Sequence, residues 1–276
     1  MSGDNVSSAG NQQETMYYYC GFMVGECSIC LIKAKHKYGG SGFYFTPDFT
    51  VSNADSVLLK RINRAVADGR GVITPIKGGY NLSFRGKSKV PSVLAFFDRY
   101  PPISGDMIQE KLLYLRQAID ILLQKKNCNV RLPDEVTMIE ALRQKLKELK
   151  KNGKAGSKFP KKIISRTMIG YFLSGIVDAE GSMGFRKCGK YYQPYFTVAM
   201  REEEIINLFQ EFFGFGSKYY RPAQKLYQFE TGRREYVSQL AECFLHNYPV
   251  MLSKNRKRLQ KLQRILNDYT PRAVRK

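Results

Sequence analysis

The chain has 276 residues, which is long enough for two domains that each bury a core. Its 45 lysines and arginines outnumber its 24 aspartates and glutamates, and the formal net charge is +21. This excess favours a polyanionic partner, of which nucleic acid is the commonest. The sequence contains no apolar run of about 18 residues and no concentrated basic amphipathic helix, which argues against a membrane partner.

The cysteines and the N-terminal residues favour an intracellular protein. Cys27 and Cys30 have the spacing of half a zinc site, but no second pair of Cys or His residues has the right spacing. We therefore expect reduced thiols rather than a zinc site. Residues 1–14 are polar and lack Lys and Arg, which favours a loose tail over a signal or transit peptide.

The first half of the chain predicts elements in the order α-β-β-α-β-β-α, followed by an extra helix. The clearest strand is 43–52, where Phe43, Phe45, Phe49 and Val51 alternate with polar side chains. Pro47 lies on the apolar side of this strand and suggests an irregularity or a sheet edge. The other predicted elements are helices at 15–25, 55–67, 90–100 and 106–125, and strands at 72–77 and 80–85.

The second half repeats this order. Its predicted elements are a strand in which Tyr192, Phe196 and Val198 alternate with Gln193, Tyr195 and Thr197, a helix at 202–213, two strands around Pro222 and a helix ending at Tyr248. Between the halves, 133–150 predicts an amphipathic helix and 151–158 a flexible basic linker. The pair Tyr248-Pro249 matches Tyr100-Pro101 at an offset of 148 residues.

A second match strengthens the repeat. The segment from Gly21 to Ile29 is a degraded copy of the segment from Gly175 to Met183, at an offset of 154 residues. Two anchors at similar offsets indicate one fold unit written twice. Each copy carries one acidic residue near its end, Glu26 in the first and Glu180 in the second.

Small residues precede these acids at helical spacing. Gly21 and Gly25, like Gly175 and Ala179, are four residues apart and share one helix face, so two such helices can pack with their backbones in close contact. The two acids would then meet at the C-terminal ends of the helices. The helix dipole disfavours a carboxylate there by about 0.3–1 kcal/mol, and the two acids repel each other. A bound divalent cation would remove both penalties.

The segment from Leu173 to Gly181 resembles the LAGLIDADG motif of homing endonucleases. The resemblance covers roughly 17–266 and includes the segment from Phe49 to Asn53, which resembles the second strand of that family. It implies an α+β fold of two pseudo-symmetric repeats, each with a four-stranded antiparallel sheet backed by helices, that form a DNA-binding saddle. The implied divisions are a disordered tail at 1–14, a first repeat at 15–126, a helix-containing basic linker at 127–162 and a second repeat at 163–276.

The resemblance also implies the chemistry. Glu26 and Glu180 would bind Mg²⁺, with Gly25 and Ala179 as neighbouring ligands, and would activate water against one phosphate in each strand, leaving short 3′ overhangs. Mn²⁺ could replace Mg²⁺, whereas Ca²⁺ would support binding without cleavage. Further catalytic residues expected near the acids are Lys87, Arg234 and Asn53.

The first motif departs from the family pattern at two positions. Val24 replaces the acid found at Asp178, whose expected work is hydrogen bonding at the helix end rather than chemistry. Cys27 replaces Gly181, which matters if the backbone freedom of glycine is needed there. Unequal activity of the two sites is therefore conceivable.

Residues for DNA contact are expected on the polar faces of the two sheets and in the lysines and arginines around them. The expected readers of the first sheet are Lys35, Tyr44, Thr46, Asp48, Thr50, Asn81, Ser83 and Arg85. Those of the second sheet are Ser182, Arg186, Gln193, Tyr195, Thr197, Gln228 and Glu230. The expected phosphate contacts are Lys33, Lys37, Lys187, Lys190, Lys218, Arg221 and the linker lysines.

These features favour a monomeric, intron-encoded endonuclease that cuts a long, non-palindromic DNA duplex, because the two polar faces differ. Two other functions stay open on the same scaffold. One is an RNA maturase that assists splicing of its host intron, and the other is a non-catalytic DNA-binding protein. The compartment is open between an organelle, mitochondrion or chloroplast, and the cytoplasm of a microbe.

Overall fold

The computed structural model describes residues 5–35, 43–124, 133–159, 164–189 and 191–268. The elements of the first half are α1 (Asn5–Glu26), β1 (Cys27–Lys35), β2 (Phe43–Asn53), α2 (Ser56–Ala67), β3 (Val72–Ile76), β4 (Gly79–Arg85), α3 (Val90–Arg99), α4 (Asp106–Leu123) and α5 (Pro133–Asn152). Those of the second half are α6 (Arg166–Glu180), β5 (Gly181–Cys188), β6 (Tyr191–Met200), α7 (Glu203–Phe213), β7 (Ser217–Arg221), β8 (Leu226–Thr231), α8 (Arg234–Glu242), a π-helical turn (Cys243–Asn247) and α9 (Ser253–Asp268). The predicted fold class is confirmed.

The first half forms one antiparallel sheet in the order β1-β2-β4-β3. Its apolar face carries the alternating residues of β2, among which Phe45, Phe49 and Val51 are buried as expected. The ring of Phe49 lies 5.8 Å from that of Phe97 in α3, so the helices cover this face. The opposite face carries the polar residues of the same strands.

The second half forms an equivalent sheet in the order β5-β6-β8-β7. Phe196 and Val198 of β6 are fully buried, while Gln193, Tyr195 and Thr197 lie on the other face. The ring of Phe196 stacks on Phe244 of the π-helical turn at 5.7 Å. Alternation therefore predicted the faces of the central strand in both halves.

Pro47 causes no irregularity in β2 and lies where β2 is a local sheet edge, which was the other expectation. It pairs in regular register with Leu31 of β1. Its carbonyl accepts from Gly86 N at 2.8 Å, just beyond the point where pairing with β4 begins at Asp48. Proline has no N–H to donate, and on this side of Pro47 the strand has no partner in β4. No hydrogen bond of the sheet is therefore lost. Pro194 occupies the equivalent place in β6, since pairing with β8 begins at Phe196.

Helices α1 and α6 pack backbone to backbone along the predicted small residues. A Cβ at Gly21 would collide with the carbonyl oxygen of Phe172, and one at Gly175 would lie 2.5 Å from the amide nitrogen of Phe22. A Cβ at Gly25 would overlap that of Ala179. The predicted interface of Gly21, Gly25, Gly175 and Ala179 is therefore present.

The chain divides into two compact units that differ from the predicted boundaries at α1. One unit is Met1–Gly25 with Ile163–Lys276, and the other is Glu26–Lys162. The boundaries predicted at 15–126 and 163–276 follow the sequence repeat, whereas α1 packs against α6. Helix α1 also begins at Asn5, so residues 5–14, expected in a disordered tail, are helical.

The segment 156–159, expected in a flexible linker, is bonded to α4. Gly156 N donates to Glu110 Oε2 at 2.7 Å, and Phe159 N donates to Asp106 Oδ1 at 3.1 Å. Glu110 is only 3% exposed and requires such donors. The helix predicted before the linker is confirmed as α5, which buries Ile139, Leu142, Leu146 and Leu149.

Substitution Gly175→Val should destabilise the unit that contains α6 by about 3 kcal/mol or more. The added atoms have no space against the backbone of α1, and overpacking that shifts a backbone is at the upper end of such penalties. The measurement is the midpoint of urea unfolding. Thr167→Val, at an exposed position of the same helix, is the matched control. A midpoint for Gly175→Val equal to that of the control would contradict the packing described above.

Candidate active site

The first half-site, Glu26 with Asn53, lies where α1 ends and the first sheet begins. Glu26 is the last residue of α1, and Cys27 after it pairs with Val51 of β2. This register brings Asn53, at the end of β2, next to the glutamate. Asn53 Nδ2 donates to Glu26 Oε1 at 3.0 Å, while Asn53 Oδ1 accepts from Asp55 N at 2.9 Å. The second bond fixes the orientation of the amide.

The environment of Glu26 disfavours its charge. Partial burial raises the pKa of its carboxyl above the usual 4.5, and the hydrogen bond from Asn53 opposes that rise. Its position at the C-terminal end of a helix adds an unfavourable dipole. A divalent cation beside the carboxylate would stabilise the ionised form.

The second half-site contains Glu180 and Met200. Glu180 ends α6 and is exposed, and Gly181 after it pairs with Val198 of β6. Met200 therefore occupies the position that Asn53 has in the first half-site. It is 7% exposed, and a thioether cannot donate a hydrogen bond as an amide does.

Asp178 holds the start of α9 against the end of α6. It is 4% exposed and accepts from Tyr18 Oη at 2.5 Å, Met251 N at 2.7 Å, Leu252 N at 2.8 Å and Asn255 Nδ2 at 2.9 Å. Burial raises the pKa of its carboxyl above the usual 3.8, and these donors oppose the rise. The expectation that Asp178 makes hydrogen bonds at the helix end agrees with this geometry.

The same network of hydrogen bonds holds the segment that contains Lys254, a residue that the sequence did not predict for the site. Its neighbours Leu252 and Asn255 both donate hydrogen bonds to Asp178. Asp178 itself lies two residues before Glu180 in α6. The side chain of Lys254 is exposed and its flexible stem can reach an anion at this end of α6. The only sequence signal for Lys254 was its position six residues after Tyr248, in the Tyr-Pro pair that marks the repeat.

Two residues expected near the acids lie elsewhere, which corrects the prediction. Lys87 follows Arg85, which pairs with Asp48, whereas Asn53 pairs with Tyr80 at the other end of β4. Lys87 is thus about 17 Å or more from Asn53 along the strand direction. In the second half, the guanidinium of Arg234 donates to the carbonyl of Leu266, about 16 Å along α9 from Asn255.

Cys27 does not strain the first motif. Its equivalent Gly181 has φ −77° and ψ 140°, an extended conformation that any residue adopts. The crowding at Gly181 comes instead from the carbonyl oxygen of Val177. The concern that glycine is needed there for its backbone freedom is therefore not supported.

The polar face of the first sheet carries most of the residues expected on it. Asp48 is its centre, because its carboxylate accepts from Thr50 Oγ1 at 3.1 Å, Ser83 Oγ at 3.0 Å and Arg85 Nε at 2.9 Å. The residues that register places on this face are Tyr44, Thr46, Asp48, Thr50, Asn81, Ser83 and Arg85.

Lys35 does not belong to that face, which corrects its prediction, and Lys33, expected as a phosphate contact, also lies on the other face. Lys33 pairs with Phe45 and Lys35 with Phe43, so they lie on the face packed by helices. Lys33 Nζ forms an ion pair with Glu140 of α5 at 3.1 Å and lies 4.4 Å from the ring centre of Phe43. Lys37 and Lys190 lie outside the described residues.

The polar face of the second sheet carries all seven residues expected on it. Arg186 Nη1 bonds to Glu230 Oε1 at 2.6 Å, and Gln228 Nε2 bonds to Glu230 Oε2 at 2.6 Å. The residues that register places there are Ser182, Arg186, Gln193, Tyr195, Thr197, Gln228 and Glu230, together with the expected phosphate contact Arg221.

Two lysines near the second sheet lie on its other face, and two tyrosines on the polar face were missed. Lys187 pairs with Tyr192 and Lys218 with Phe229, and Lys218 bonds to Glu203 of α7 at 2.7 Å. Tyr191 and Tyr219 lie on the polar face and are 77% and 52% exposed. Alternation with Gln193 could have predicted Tyr191, but the place of Tyr219 follows only from the pairing of β7 with β8.

Comparison with known proteins finds one family match and several solved structures of similar fold. The family model of LAGLIDADG endonucleases matches residues 173–268. The LAGLIDADG homing endonuclease I-GzeII in complex with its DNA target is 18% identical, with a TM-score of 0.72 over 91% of this chain and 89% of that chain. I-LtrWI bound to target DNA is 17% identical, with a TM-score of 0.74 over 93% of this chain and 90% of that chain.

A third solved structure has the same likeness. I-SmaMI bound to uncleaved DNA in the presence of calcium ions is 16% identical, with a TM-score of 0.72 over 92% of each chain. No curated protein sequence matches the chain. The family match lies in the second repeat, and the likeness in fold to these homing endonucleases extends over both repeats. Among the helices of the described residues, none is long and apolar enough to cross a membrane.

Substitution Asn53→Leu should raise the pKa of Glu26 further, because it removes the hydrogen bond that favours the carboxylate. A folded pKa above the usual 4.5 means that ionised Glu26 lowers stability. The stability that protonated Glu26 contributes to the folded state is therefore fully present below pH 4.5, and it is lost as pH rises through the folded pKa. Carboxyl carbon NMR titration measures the pKa, with Glu26→Gln to assign the resonance. Met200→Leu is the control and should leave this pKa unchanged.

Substitution Asp178→Ala should lower the free energy of unfolding by about 3 kcal/mol or more. It leaves the buried donors of Tyr18, Met251, Leu252 and Asn255 without their shared acceptor. Hydrogen exchange should show reduced protection at the amides of Met251 and Leu252. Asp268→Ala, at an exposed position of α9, is the control. Unchanged protection at both amides would show that Asp178 does not hold this segment.

Proposed function

We propose that the protein is a site-specific DNA endonuclease that hydrolyses one phosphodiester bond in each strand of a long asymmetric duplex. The observation that carries this proposal is the position of the two acids. Glu26 and Glu180 each end the motif helix of a repeat and directly precede the first strand of that repeat's sheet. The second of these segments lies in the region matched by an endonuclease family.

The donor set fits a hard divalent cation such as Mg²⁺. Each half offers one carboxylate, with the carbonyl of Gly25 or Ala179 directly before it in the helix. Mg²⁺ is typically held by one or two carboxylates and completes its shell with water and phosphate oxygens. Among the described residues, no three His, Cys, Asp or Glu side chains form a cluster, and this mode of binding requires none. Mn²⁺ has similar preferences.

When bound, the cation would supply a water of lowered pKa and would stabilise charge on the attacked phosphate. The protein's own groups position the reactants. Asn53 holds Glu26 through one amide hydrogen while its oxygen is fixed by Asp55, so the carboxylate is oriented before substrate binds. In the second half, Lys254 lies in the segment that Asp178 holds at the end of α6, and its exposed ammonium would be available to a phosphate bound there.

The polar sheet faces supply the readout of sequence. Their side chains combine guanidinium, amide, hydroxyl and carboxylate groups, which match the donor and acceptor pattern of the major groove. Internal bonds such as Arg85 to Asp48 and Arg186 to Glu230 hold several of these groups in place. The net charge of +21 adds sequence-independent attraction to phosphates.

The target should be non-palindromic, because equivalent positions of the two faces differ. By register, Asp48 corresponds to Tyr195, and Ser83 corresponds to Glu230. A carboxylate and a phenol, or a hydroxyl and a carboxylate, prefer different base edges. One chain carrying both faces can act on such a site as a monomer.

Selection for cleaved ends tests the proposal. Genomic or randomised duplex DNA is incubated with the protein in Mg²⁺, Ca²⁺ or EDTA, and the new ends are sequenced. One long asymmetric site cut in both strands only with Mg²⁺ supports the endonuclease. Enrichment of one sequence without cleavage in any metal would overturn it in favour of a DNA-binding protein. Tight binding to host intron RNA with no cleavage would favour a maturase.

Substitution Glu180→Gln should abolish double-strand cleavage and leave binding of the target in Ca²⁺ within about threefold. The amide keeps the size of the side chain but removes the charge that holds the cation. Cleavage and binding are measured on the same selected duplex. Glu235→Gln, at an exposed position of α8, is the control and should cut normally. Normal cleavage by Glu180→Gln would show that the metal ligand lies elsewhere.

A further inference from the structure

The edge strand β3 carries aliphatic side chains on the polar face of the first sheet. Val72 pairs with Ser83 of β4, whose hydroxyl donates to Asp48 on that face. Ile76 lies four residues further along β3 and therefore on the same side, with Thr74 between the two. Val72 is 46% exposed and Ile76 is 45% exposed. Neither residue was among the DNA contacts expected from the sequence.

The composition of β3 departs from the rule that the neighbouring strand β2 follows. An antiparallel strand with one packed and one solvated face normally alternates apolar and polar residues, as β2 does. In β3, Ile73 pairs with the buried Leu82 on the packed side, and the opposite side is aliphatic as well. Single exposed apolar residues are ordinary, but an exposed edge strand with an apolar face is an aggregation hazard. A ligand that covers Val72 and Ile76 would remove this hazard.

The second sheet carries polar side chains at the positions equivalent to this pair. By register, Ser217 of β7 has the position of Val72. Arg221 has the position of Ile76, and Tyr219 lies between the two. The polar face of β7 thus presents a hydroxyl, a phenol and a guanidinium where β3 presents aliphatic groups. The feature that fits β3 is therefore needed in only one half of an asymmetric target.

The surroundings of the pair favour DNA as the molecule that covers it. Val72 and Ile76 are continuous with the polar face, where Asp48 accepts from Ser83 and Arg85, and the net charge of +21 attracts a polyanion. Among the groups that unmodified base pairs present in the major groove, the C5-methyl of thymine is the apolar one. An aliphatic side chain against a donor or acceptor would leave that group without its hydrogen bond. The methyl group of thymine is therefore the part of the duplex that fits β3.

We propose that Val72 and Ile76 contact the methyl groups of two thymines in the half of the target read by the first sheet, and so make these positions specific for thymine. Four residues span about 13 Å along a strand, so the two side chains contact different base pairs. Each contact removes one methyl group from water. This inference rests on the DNA binding that is part of the proposed function.

Replacement of thymine by deoxyuridine tests the contact, because it removes the methyl group and leaves base pairing unchanged. Each thymine of the selected target is replaced singly, and the dissociation constant is measured in Ca²⁺. Burial of one methyl-sized group predicts binding about fourfold weaker at the two contacted positions. A selected target in which no position responds would overturn the inference. This series uses the unsubstituted protein, so its result does not depend on the folding of a variant.

Substitutions Val72→Ala and Ile76→Ala assign the two positions. Each should lower the ratio of the deoxyuridine to the thymine dissociation constant from about 4 to below about 2 at one position and leave the other position unchanged. Val57→Ala, at an exposed valine of α2, is the matched control and should leave both ratios unchanged. Equal weakening of binding to the thymine and the deoxyuridine duplexes would show that these side chains do not recognise the methyl group.

Cytosine and 5-methylcytosine at the same two positions give an independent comparison. The methylated base should be bound about fourfold more tightly than cytosine, because its methyl group is attached to the same ring carbon as that of thymine. Equal binding of the two duplexes would contradict a contact with the methyl group.

Failure of this inference and failure of the proposed function give different results. The measurement requires binding only, so a target that is bound and never cut would overturn the endonuclease and leave this test valid. Normal cleavage of a target that is indifferent to deoxyuridine would overturn the inference alone. A second copy of the chain is the other molecule that could cover an apolar edge strand. A dimer in sedimentation velocity that Val72→Ala dissociates, with unchanged thymine ratios, would assign the pair to self-association and overturn the inference.

Discussion

The backbone contact between α1 and α6 is the constraint on which the rest of the structure depends. Gly21 and Gly175 have no space for a Cβ because each faces the backbone of the other helix, and Gly25 faces Ala179. The constraint is steric and acts on both helices at once. It explains why the degraded first motif retains both glycines although Val24 and Cys27 differ from their equivalents. Each helix then ends on a glutamate and leads directly into a sheet.

The two repeats use different carboxylates to hold the segments that follow their sheets. The second repeat buries a carboxylate, Asp178, and satisfies it with four donors that include two backbone amides of the segment before α9. A buried carboxylate is tolerated only when its hydrogen bonds are complete, and such a network restrains every element that it joins. The first repeat has valine there and tethers its own following segments through Asp106 and Glu110.

The polar sheet faces are organised by the same principle. Asp48 is 7% exposed and is held by three side chains of the first sheet, and Glu230 joins Arg186 to Gln228 in the second. These bonds restrict rotamers on a surface that would otherwise consist of long, mobile side chains. Their arrangement differs between the sheets, so one fold written twice presents two chemically different surfaces.

The sequence by itself determined the repeat, the fold class, the small-residue helix interface and the two glutamates. These follow from local periodicity and from matching segments, which depend on residues near one another in the chain. It also predicted Asn53, which the register of β1 with β2 places beside Glu26. The polar faces of the central strands could be predicted from the sequence because side chains alternate between the two faces of a strand with a fixed period of two residues.

Tertiary structure alone decided the place of Lys33, Lys35, Lys87, Arg234 and Lys254. A lysine or arginine is compatible with either face of an edge strand and with any turn, so its position depends on strand register and helix docking rather than on local pattern. Lys33 forms an ion pair with Glu140, and Arg234 donates to a carbonyl at the end of α9. The segment that contains Lys254 is held at the end of α6 by Asp178, which is 76 residues earlier in the chain than Lys254. Contacts between residues so far apart in sequence leave no periodic signal, because they are set by how separate elements pack.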